Sequence, residues 1–169
     1  PNMNYGLMVE RELMANLPRT VEGVVETALP LIGDSTKTGG YFCLSRRNTG
    51  RVLLVTQIGD VSPEGKATKY FDLCQEKCQR LFQNHGHVSS FQSRNEDEGR
   101  WGGAIATQDF FLGFSGFPEK WDEVCMLEVV RREPLLKLTF ANYATIIRAS
   151  SNEFVTETFG GFERHPVPA

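Results

Sequence analysis

Two histidines lie just beyond a predicted helix end and are the residues of this chain best suited to ligate a metal. His85 and His87 are separated only by Gly86. Imidazole is a common ligand of zinc and of haem iron. The same residues also suit a helix C-terminus, where a cationic histidine is favourable and glycine supplies the turn. Since no further His, Cys or carboxylate accompanies them in sequence, capping is the simpler interpretation and a ligand role is the alternative.

Ser115 and Gly116 form a second candidate site at a turn that leads into a predicted helix. Backbone N–H groups at a helix N-terminus can bind an anion. A tight turn from a strand into a helix requires the same residue types for its geometry alone. The sequence therefore leaves two interpretations open, a ligand-binding turn and a structural one.

Two further groups of residues have a possible chemistry and a simpler structural explanation. Cys74 and Cys78 share one face of a predicted helix, but two ligands do not complete a metal site and free Cys usually packs as a small hydrophobe. Arg46, Arg47 and Arg51 surround a predicted hairpin turn and could pair with a carboxylate or phosphate. A buried core position for the cysteines and a solvated loop for the arginines are favoured.

No catalytic motif accompanies these candidates. The chain lacks GxGxxG, a Walker loop, HExxH and the GxSxG elbow. Asp and Glu are plentiful but form no obvious acid/base pair. The sequence thus predicts no catalytic residue and no defined metal site.

The composition favours an ordinary soluble globular protein. The chain has 169 residues, of which 40% are hydrophobic and 23% charged, and this fits a single domain over residues 1–169. A net charge of -3 disfavours nucleic acid and anionic membranes as partners, and no apolar run is long enough for a membrane span. Four cysteines inside apolar patterns favour reduced thiols and a cytoplasmic location. The chain begins with Pro1, so the removal of a leader stays open.

The elements that must position these residues follow from hydrophobic periodicity and turn residues. Residues 1–35 are predicted as helices, one over 10–17 stopped by Pro18 and one capped by Thr20. Next come a hairpin of strands 41–45 and 51–58, a helix from Ser62-Pro63 to about 84–86, a weak strand over 88–93, a loop over 94–100, a second hairpin of strands 102–107 and 110–115, and a helix over 118–132.

The last part of the chain, residues 133–169, is less sharply patterned. Thr139 could cap a helix, although residues 137–159 also tolerate a strand. A final strand is predicted over 154–159, followed by a tail over 160–169. The helix over 118–132 is apolar around much of its circumference, so it is either central or covered by another subunit.

The element order over residues 41–132, together with several short motifs, resembles the GlcG/HbpS-like family, which includes the C-terminal domain of PduO-type proteins. The motifs are Lys66-Ala67, Gly103-Ala104-Ile105, Ser115-Gly116, Pro118-Glu119 and Asp122-Glu123. The resemblance implies a profilin-like α/β (α+β) fold, a mainly antiparallel sheet flanked by helices, commonly assembled into oligomers. It also implies a small-molecule ligand, with haem or a related tetrapyrrole as the known candidates.

Two departures from that family bear on these expectations. The first hairpin turn reads Arg-Arg-Asn-Thr-Gly where the family usually has Val-Asp-x-x-Gly. No histidine precedes His85, so a haem-ligating histidine on an N-terminal helix has no counterpart. The fold expectation is untouched by these changes, whereas the haem expectation is weakened.

Three hypotheses follow, in order of preference. The first is a cytoplasmic, homo-oligomeric, small-molecule-binding protein whose ligand site includes Ser115 and Gly116, with His85 or His87 if a metal or haem is bound. The second is a regulatory or scaffolding module that dimerises through the apolar helix over 118–132. The third is an enzyme.

Overall fold

A computed structural model describes residues 3–61 and 64–155 of the chain. Four α-helices accompany four strands in the described part, with two short 3₁₀ turns between the second helix and the third strand. The elements are α1 (Met3–Ile32), β1 (Gly39–Arg46), β2 (Val52–Gly59), α2 (Glu64–Gln83), β3 (Ala104–Ala106), β4 (Phe110–Ser115), α3 (Glu119–Arg132) and α4 (Phe140–Ser150).

The strands form one antiparallel sheet in the order β2-β1-β4-β3. Helix α2 packs on β1 and β4, where Cys78 lies against the carbonyl of Cys43. Because strand residues alternate between faces, Phe42 and Leu44 point away from α2. A second helical layer consists of α1 and α3, which contact each other and the sheet. The predicted architecture, an antiparallel sheet flanked by helices, is confirmed.

Most predicted elements are present at nearly the predicted positions. Both hairpins form, and Gly50 adopts φ +74° at the first turn, where a side chain would be strained. Helix α2 ends at Gln83, and Gly86 follows in the next turn at φ +87°. The Thr139 hydroxyl accepts a hydrogen bond from the backbone N–H of Asn142, 3.1 Å, and so caps α4 as the helix interpretation required.

Two predictions of secondary structure were wrong. The N-terminal segment is one helix that runs through Pro18, because the buried residues on both sides of Pro18, such as Leu17 and Val21, share one continuous apolar face. Residues 88–93 are not a strand: Ser90–Ser93 form a 3₁₀ turn, and only Ser89 makes an isolated bridge, to Ile105. Ser62 and Pro63 lie outside the described residues, as do most of the predicted final strand and the tail.

Helix α3 is central to the molecule. Every residue from Trp121 to Val130 is buried, and the covering elements belong to the chain itself, chiefly α1, β3 and β4. The apolar face of α3 is therefore not available as a surface for dimerisation. None of the described helices combines the length and the apolar character needed to cross a membrane.

Candidate functional site: an aromatic cleft with a basic mouth

A cleft of about 650 Å³ opens where α2, the end of β4 and the start of α3 meet the loop of residues 91–101. This volume falls within the usual range for small-molecule sites. Its walls carry an unusual share of aromatic side chains. They are Tyr70, Phe91, Trp101, Phe117, Trp121 and Phe154.

The aromatic walls come from separate parts of the chain and are held by ring contacts. Trp121 of α3 stacks on Phe154, which follows α4, with ring centroids 4.3 Å apart and planes 22° from parallel. On the opposite loop, the guanidinium of Arg94 lies 5.2 Å from the ring centroid of Trp101. Offset stacking and cation–π contact both fix the orientation of a ring. The cleft therefore presents flat apolar surfaces in defined positions.

The floor of the cleft is a buried ion pair. Lys77 donates to the carbonyl of Phe114 at 2.8 Å and to Asp122 Oδ2 at 3.1 Å, and both ionic side chains are 2% exposed. The backbone N–H of Phe117 donates to Asp122 Oδ1 at 2.9 Å. Burial raises the pKa of Asp122 to about 6, although Lys77 and these hydrogen bonds act in the opposite direction. The pair ties α2, β4 and α3 together beneath the cleft.

Gly103 leaves the space that this ion pair occupies. It adopts φ +120°, and a Cβ at this position would lie 2.8 Å from both Lys77 Nζ and Asp122 Cβ. A side chain here would be strained and would press on the pair. The Gly-Ala-Ile motif noted in the sequence thus has a local packing reason.

The loop of residues 91–101 is anchored from below by Arg80. This buried guanidinium donates to the carbonyl of Ser90 at 2.7 Å and to that of Trp101 at 2.5 Å, which are the two ends of the loop. Glu76 accepts from Arg80 Nε at 2.8 Å. Such bidentate, charge-assisted bonds are strong and directional. Arg80 therefore sets the position of one wall of the cleft.

An ion pair closes the rim between this loop and α3. Arg94 Nε donates to Glu119 Oε1 at 2.7 Å, and the same carboxylate oxygen accepts the backbone N–H of Gly102 at 2.9 Å. The hydrogen bond to Glu119 raises the pKa of Arg94 further. Both residues have their main charge partner within the protein.

Two lysines at the mouth have no such partner. Lys37 donates to the Tyr70 hydroxyl at 3.4 Å and lies 5.9 Å from the centre of that ring. Neither Lys37 nor Lys69 lies within ion-pair distance of a carboxylate in the described part of the chain, whereas Lys77, Arg94 and Lys120 do. Lys37 interacts with Asp34 and Asp122 only at longer range. The cleft thus has a positive mouth in a chain whose net charge is -3. This arrangement attracts anions.

A buried carboxylate braces the walls from behind. Glu123 accepts from Ser89 Oγ at 2.7 Å and from Asn152 Nδ2 at 3.4 Å, which joins α3 to the 91–101 loop and to the segment that carries Phe154. Burial raises the pKa of Glu123 to about 7, against the effect of its hydrogen bonds. Glu123 does not line the cleft, so its contribution is to hold the walls in place.

The residues predicted as site candidates fall in different places. Ser115 lines the cleft and is 3% exposed. Gly116 borders a separate opening of only about 10 Å³, and a Cβ there would lie 2.4 Å from the carbonyl oxygen of Gly39. Gly116 is therefore required for close packing, and its part in a ligand site stays a prediction.

The two histidines lie beyond the far end of α2 and do not line the cleft. His85 makes an edge contact with Phe82, at 6.3 Å between ring centroids. His87 Nδ1 is buried without a hydrogen-bond partner among the described residues. Across residues 3–61 and 64–155, no three His, Cys, Asp or Glu side chains are grouped so as to hold a metal ion.

The cysteines and the hairpin arginines have structural surroundings. All four thiols are free and buried, and the pKa of Cys74 is raised by its hydrogen bond to Cys43 and by burial. A thiol in such a position is inert. Arg46 pairs with Glu10 through two hydrogen bonds, 2.5 Å and 2.8 Å, and Arg47 donates to the carbonyl of Thr107 at 2.8 Å. These arginines join the hairpin to its neighbours.

Most of the residues that dominate the cleft have no recognisable signal in the sequence. Lys37, Lys69, Trp101 and Phe154 are far apart in sequence, and each looks like an ordinary surface or loop residue. The one local signal was the polar loop over 94–100, which ends at Trp101 and contains Arg94. An aromatic residue beside a basic one in a loop favours an exposed binding surface, but only the tertiary fold brings the rest together.

Comparison of the chain with protein-family models, with curated proteins and with solved structures gave no significant match in any of the three.

Proposed function

We propose that this protein binds a small organic anion with a flat ring in the aromatic cleft. One observation carries the proposal: aromatic side chains form the walls of an open cleft of about 650 Å³ while two lysines without carboxylate partners stand at its mouth. Aromatic walls favour a planar apolar body, and lysines favour a carboxylate, sulfonate or phosphate. The resemblance to GlcG/HbpS-like proteins points to the same class of function, a small-molecule binder.

Haem fits the described lining less well than a smaller organic anion. Among the described residues that line the cleft there is no histidine, cysteine or methionine. Of the usual axial ligands only a tyrosine, Tyr70, is present, and its hydroxyl accepts a hydrogen bond from Lys37. A tetrapyrrole in this cleft would depend on stacking and on its carboxylates. We therefore expect a simpler aromatic anion, in preference to haem, as the ligand. His85 and His87 are not among the residues that we propose to bind it.

A matched pair of fluorescent probes tests the proposal. The first is 8-anilinonaphthalene-1-sulfonate and the second is N-phenyl-1-naphthylamine, which has the same ring system without the sulfonate. Binding of the anionic probe is expected to exceed that of the neutral one, since only the first can pair with Lys37 and Lys69. Equal binding of both probes would contradict the role of the lysines, and binding of neither would contradict the proposed function.

Three variants locate the bound probe. Lys69→Gln is expected to weaken the anionic probe about five- to tenfold, about 1 kcal/mol for one exposed charge contact, and to leave the neutral probe unchanged. Trp101→Ala is expected to weaken both probes. Lys137→Gln removes an exposed lysine next to Leu136 and Leu138, which lie outside the cleft lining, and serves as the control. If all three variants behave alike, the probe binds elsewhere.

Native mass spectrometry of the protein as purified addresses the natural ligand. A small anionic species that is lost on denaturation would support the proposal and supply a compound to test. The resemblance also carries the expectation of a homo-oligomer, and the cysteine pattern that of a cytoplasmic location. Both remain proposals, and the mass of the intact assembly measures the first directly.

A further inference from the structure

The outer edge of β2 has no pairing partner in the described part of the chain. The sheet order places β2 at one end, with β1 on its inner side. In an antiparallel ladder the N–H and C=O groups of alternate residues point away from the neighbouring strand. The outer edge of β2 therefore offers a row of backbone donors and acceptors to another strand.

This edge has few of the features that normally prevent strand pairing. Proteins protect open edges with short strands, charged side chains, prolines, β-bulges or covering segments. Strand β2 has eight residues, VLLVTQIG, with no charge and no proline, and its pairing with β1 is irregular only near its start, at Leu53. The opposite edge is protected: β3 has only three residues, and the N–H of Ala106 donates to the carbonyl of Val88 at 2.9 Å. The contrast singles out β2 as the edge suited to a partner.

Exposed apolar side chains surround the same edge. Val52, at the start of β2, is 40% exposed, and Phe71 on α2 is 41% exposed. Phe71 contacts Tyr41, whose ladder partner is Gln57 of β2. Leu53, Leu54 and Val55 are only partly buried. A strand added at this edge would cover part of this apolar surface.

The charges at the two ends of β2 identify the partner as a second copy. Arg51 precedes the strand and Asp60 follows it, and both are exposed without an ion-pair partner among the described residues. They stand about 30 Å apart along one strand, so they do not meet within one chain. Two β2 strands that pair antiparallel are related by a two-fold axis. With this axis at Val55 or Thr56, Arg51 of each copy lies opposite a residue adjacent to Asp60 of the other copy. The surface is thus complementary to itself.

We propose that β2 is the interface between two copies of this chain, which pair antiparallel edge to edge and join two four-stranded sheets into one of eight strands. The proposal is independent of the ligand cleft, since neither β2 nor its flanking charges line it. Backbone hydrogen bonds supply a contact that does not depend on side-chain identity. The end charges fix the direction and the register.

The first experiment measures mass by sedimentation over a range of concentrations. The wild-type protein is expected at twice the chain mass of 19.0 kDa, and Thr56→Lys, which places a charge in the middle of the edge, is expected to be monomeric. Thr27→Lys makes the same change on an exposed position of α1 and is expected to remain a dimer. A wild-type monomer up to the solubility limit would overturn the proposal, as would a dimer that Thr56→Lys leaves intact.

The second experiment uses charge reversal. Arg51→Asp gives a strand with acids at both ends, and Asp60→Arg gives a strand with bases at both ends. Each variant alone is expected to dimerise about tenfold more weakly, because two favourable cross-strand pairs become repulsive. Mixed together, the two variants are expected to form a heterodimer, with two opposite-charge pairs, visible by native mass spectrometry. Single variants that dimerise like the wild type, or a mixture without heterodimer, would refute this register.

Hydrogen exchange distinguishes a second copy from another segment of the same chain at this edge. Outward amides of β2 are expected to be protected in the dimer and to lose protection on dilution or in Thr56→Lys. Protection that does not depend on concentration would mean that the chain covers its own edge, and the proposal would fail.

Discussion

Removing the Lys77 charge from beneath the cleft is expected to be one of the most costly single changes in this chain. In Lys77→Met, Asp122 loses a partner at 3.1 Å, and the carbonyl of Phe114 loses a donor at 2.8 Å. Both side chains of the pair are 2% exposed, so water does not replace the ammonium group. The substitution leaves a buried carboxyl group that must either stay charged without a partner or take up a proton, because Lys77 is one of the groups that lower its pKa.

The magnitude follows from the distance and the burial. Two unit charges 3.1 Å apart attract by about 5 kcal/mol at an effective dielectric constant of about 20. Loss of one partner of a buried pair typically costs about 3–5 kcal/mol. In the wild type, burial raises the pKa of Asp122 to about 6, so the carboxylate is largely protonated at pH 5 and charged at pH 8. The free energy of unfolding should therefore fall by about 3–5 kcal/mol at pH 8 and by distinctly less at pH 5.

Urea unfolding of a double-mutant cycle checks this reasoning. The cycle comprises the wild type, Lys77→Met, Asp122→Asn and the double variant, each at pH 5 and pH 8. At pH 8 the double variant is expected to be more stable than the sum of the single changes predicts, by about 2–3 kcal/mol. A coupling energy below about 0.5 kcal/mol, or the same loss at both pH values, would show that the pair is solvated and would refute the argument.

Three further predictions concern the supports of the cleft. Burial raises the pKa of Glu123 from 4.5 to about 7, so the folded state binds this proton more tightly than the unfolded state does. The free energy of unfolding should therefore fall by up to about 3 kcal/mol as the pH rises from about 4.5 to 7. Urea titrations of Glu123→Gln should lack this pH dependence. Gly103→Ala places a Cβ at φ +120° and 2.8 Å from Lys77 Nζ, so thermal unfolding should show a loss of stability of about 2 kcal/mol or more. Gly65→Ala in α2 is the control, because a Cβ there meets nothing within 4 Å. In the same assay it should raise stability by about 0.5–1 kcal/mol. Arg80→Met should release the loop of residues 91–101, which would give faster amide exchange in the loop and weaker probe binding. Arg100→Met is the control and should change neither, because the ion pair of Arg100 with Glu98 is exposed. Unchanged amide exchange in Arg80→Met would show that Arg80 does not anchor the loop.

The strands and most helices of this chain could be predicted because their signals are local. The turn with Gly50 and the cap at Thr139 depend on residues that are close in sequence. The failure at Pro18 has a non-local cause. Proline inside a helix costs about 3 kcal/mol, but breaking α1 there would interrupt a face on which Leu13, Leu17 and Val21 are fully buried, each contributing about 1.5–3 kcal/mol. Tertiary packing outweighs the local preference.

The cleft could not be predicted for a related reason. Its lysines and aromatic residues are spread from Lys37 to Phe154, and each becomes informative only through its neighbours in space. Ser115 was recognised because it lies at a turn with a sequence pattern. Lys77 looked like a solvated residue of α2, since the helical pattern alone does not show that Phe114 and Asp122 surround it.

Buried carboxylates with raised pKa values often mark catalytic sites, yet in this chain their hydrogen bonds give Asp122 and Glu123 a structural explanation. Both oxygens of Asp122 are engaged, by Lys77 and by the N–H of Phe117, and those of Glu123 by Ser89 and Asn152. Their shifts thus follow from the burial of groups that hold the cleft together. Lys37 and Lys69 are the charged groups of the cleft lining that have no carboxylate within ion-pair distance among the described residues. Under the proposed function, a ligand with one or two negative charges would supply that partner.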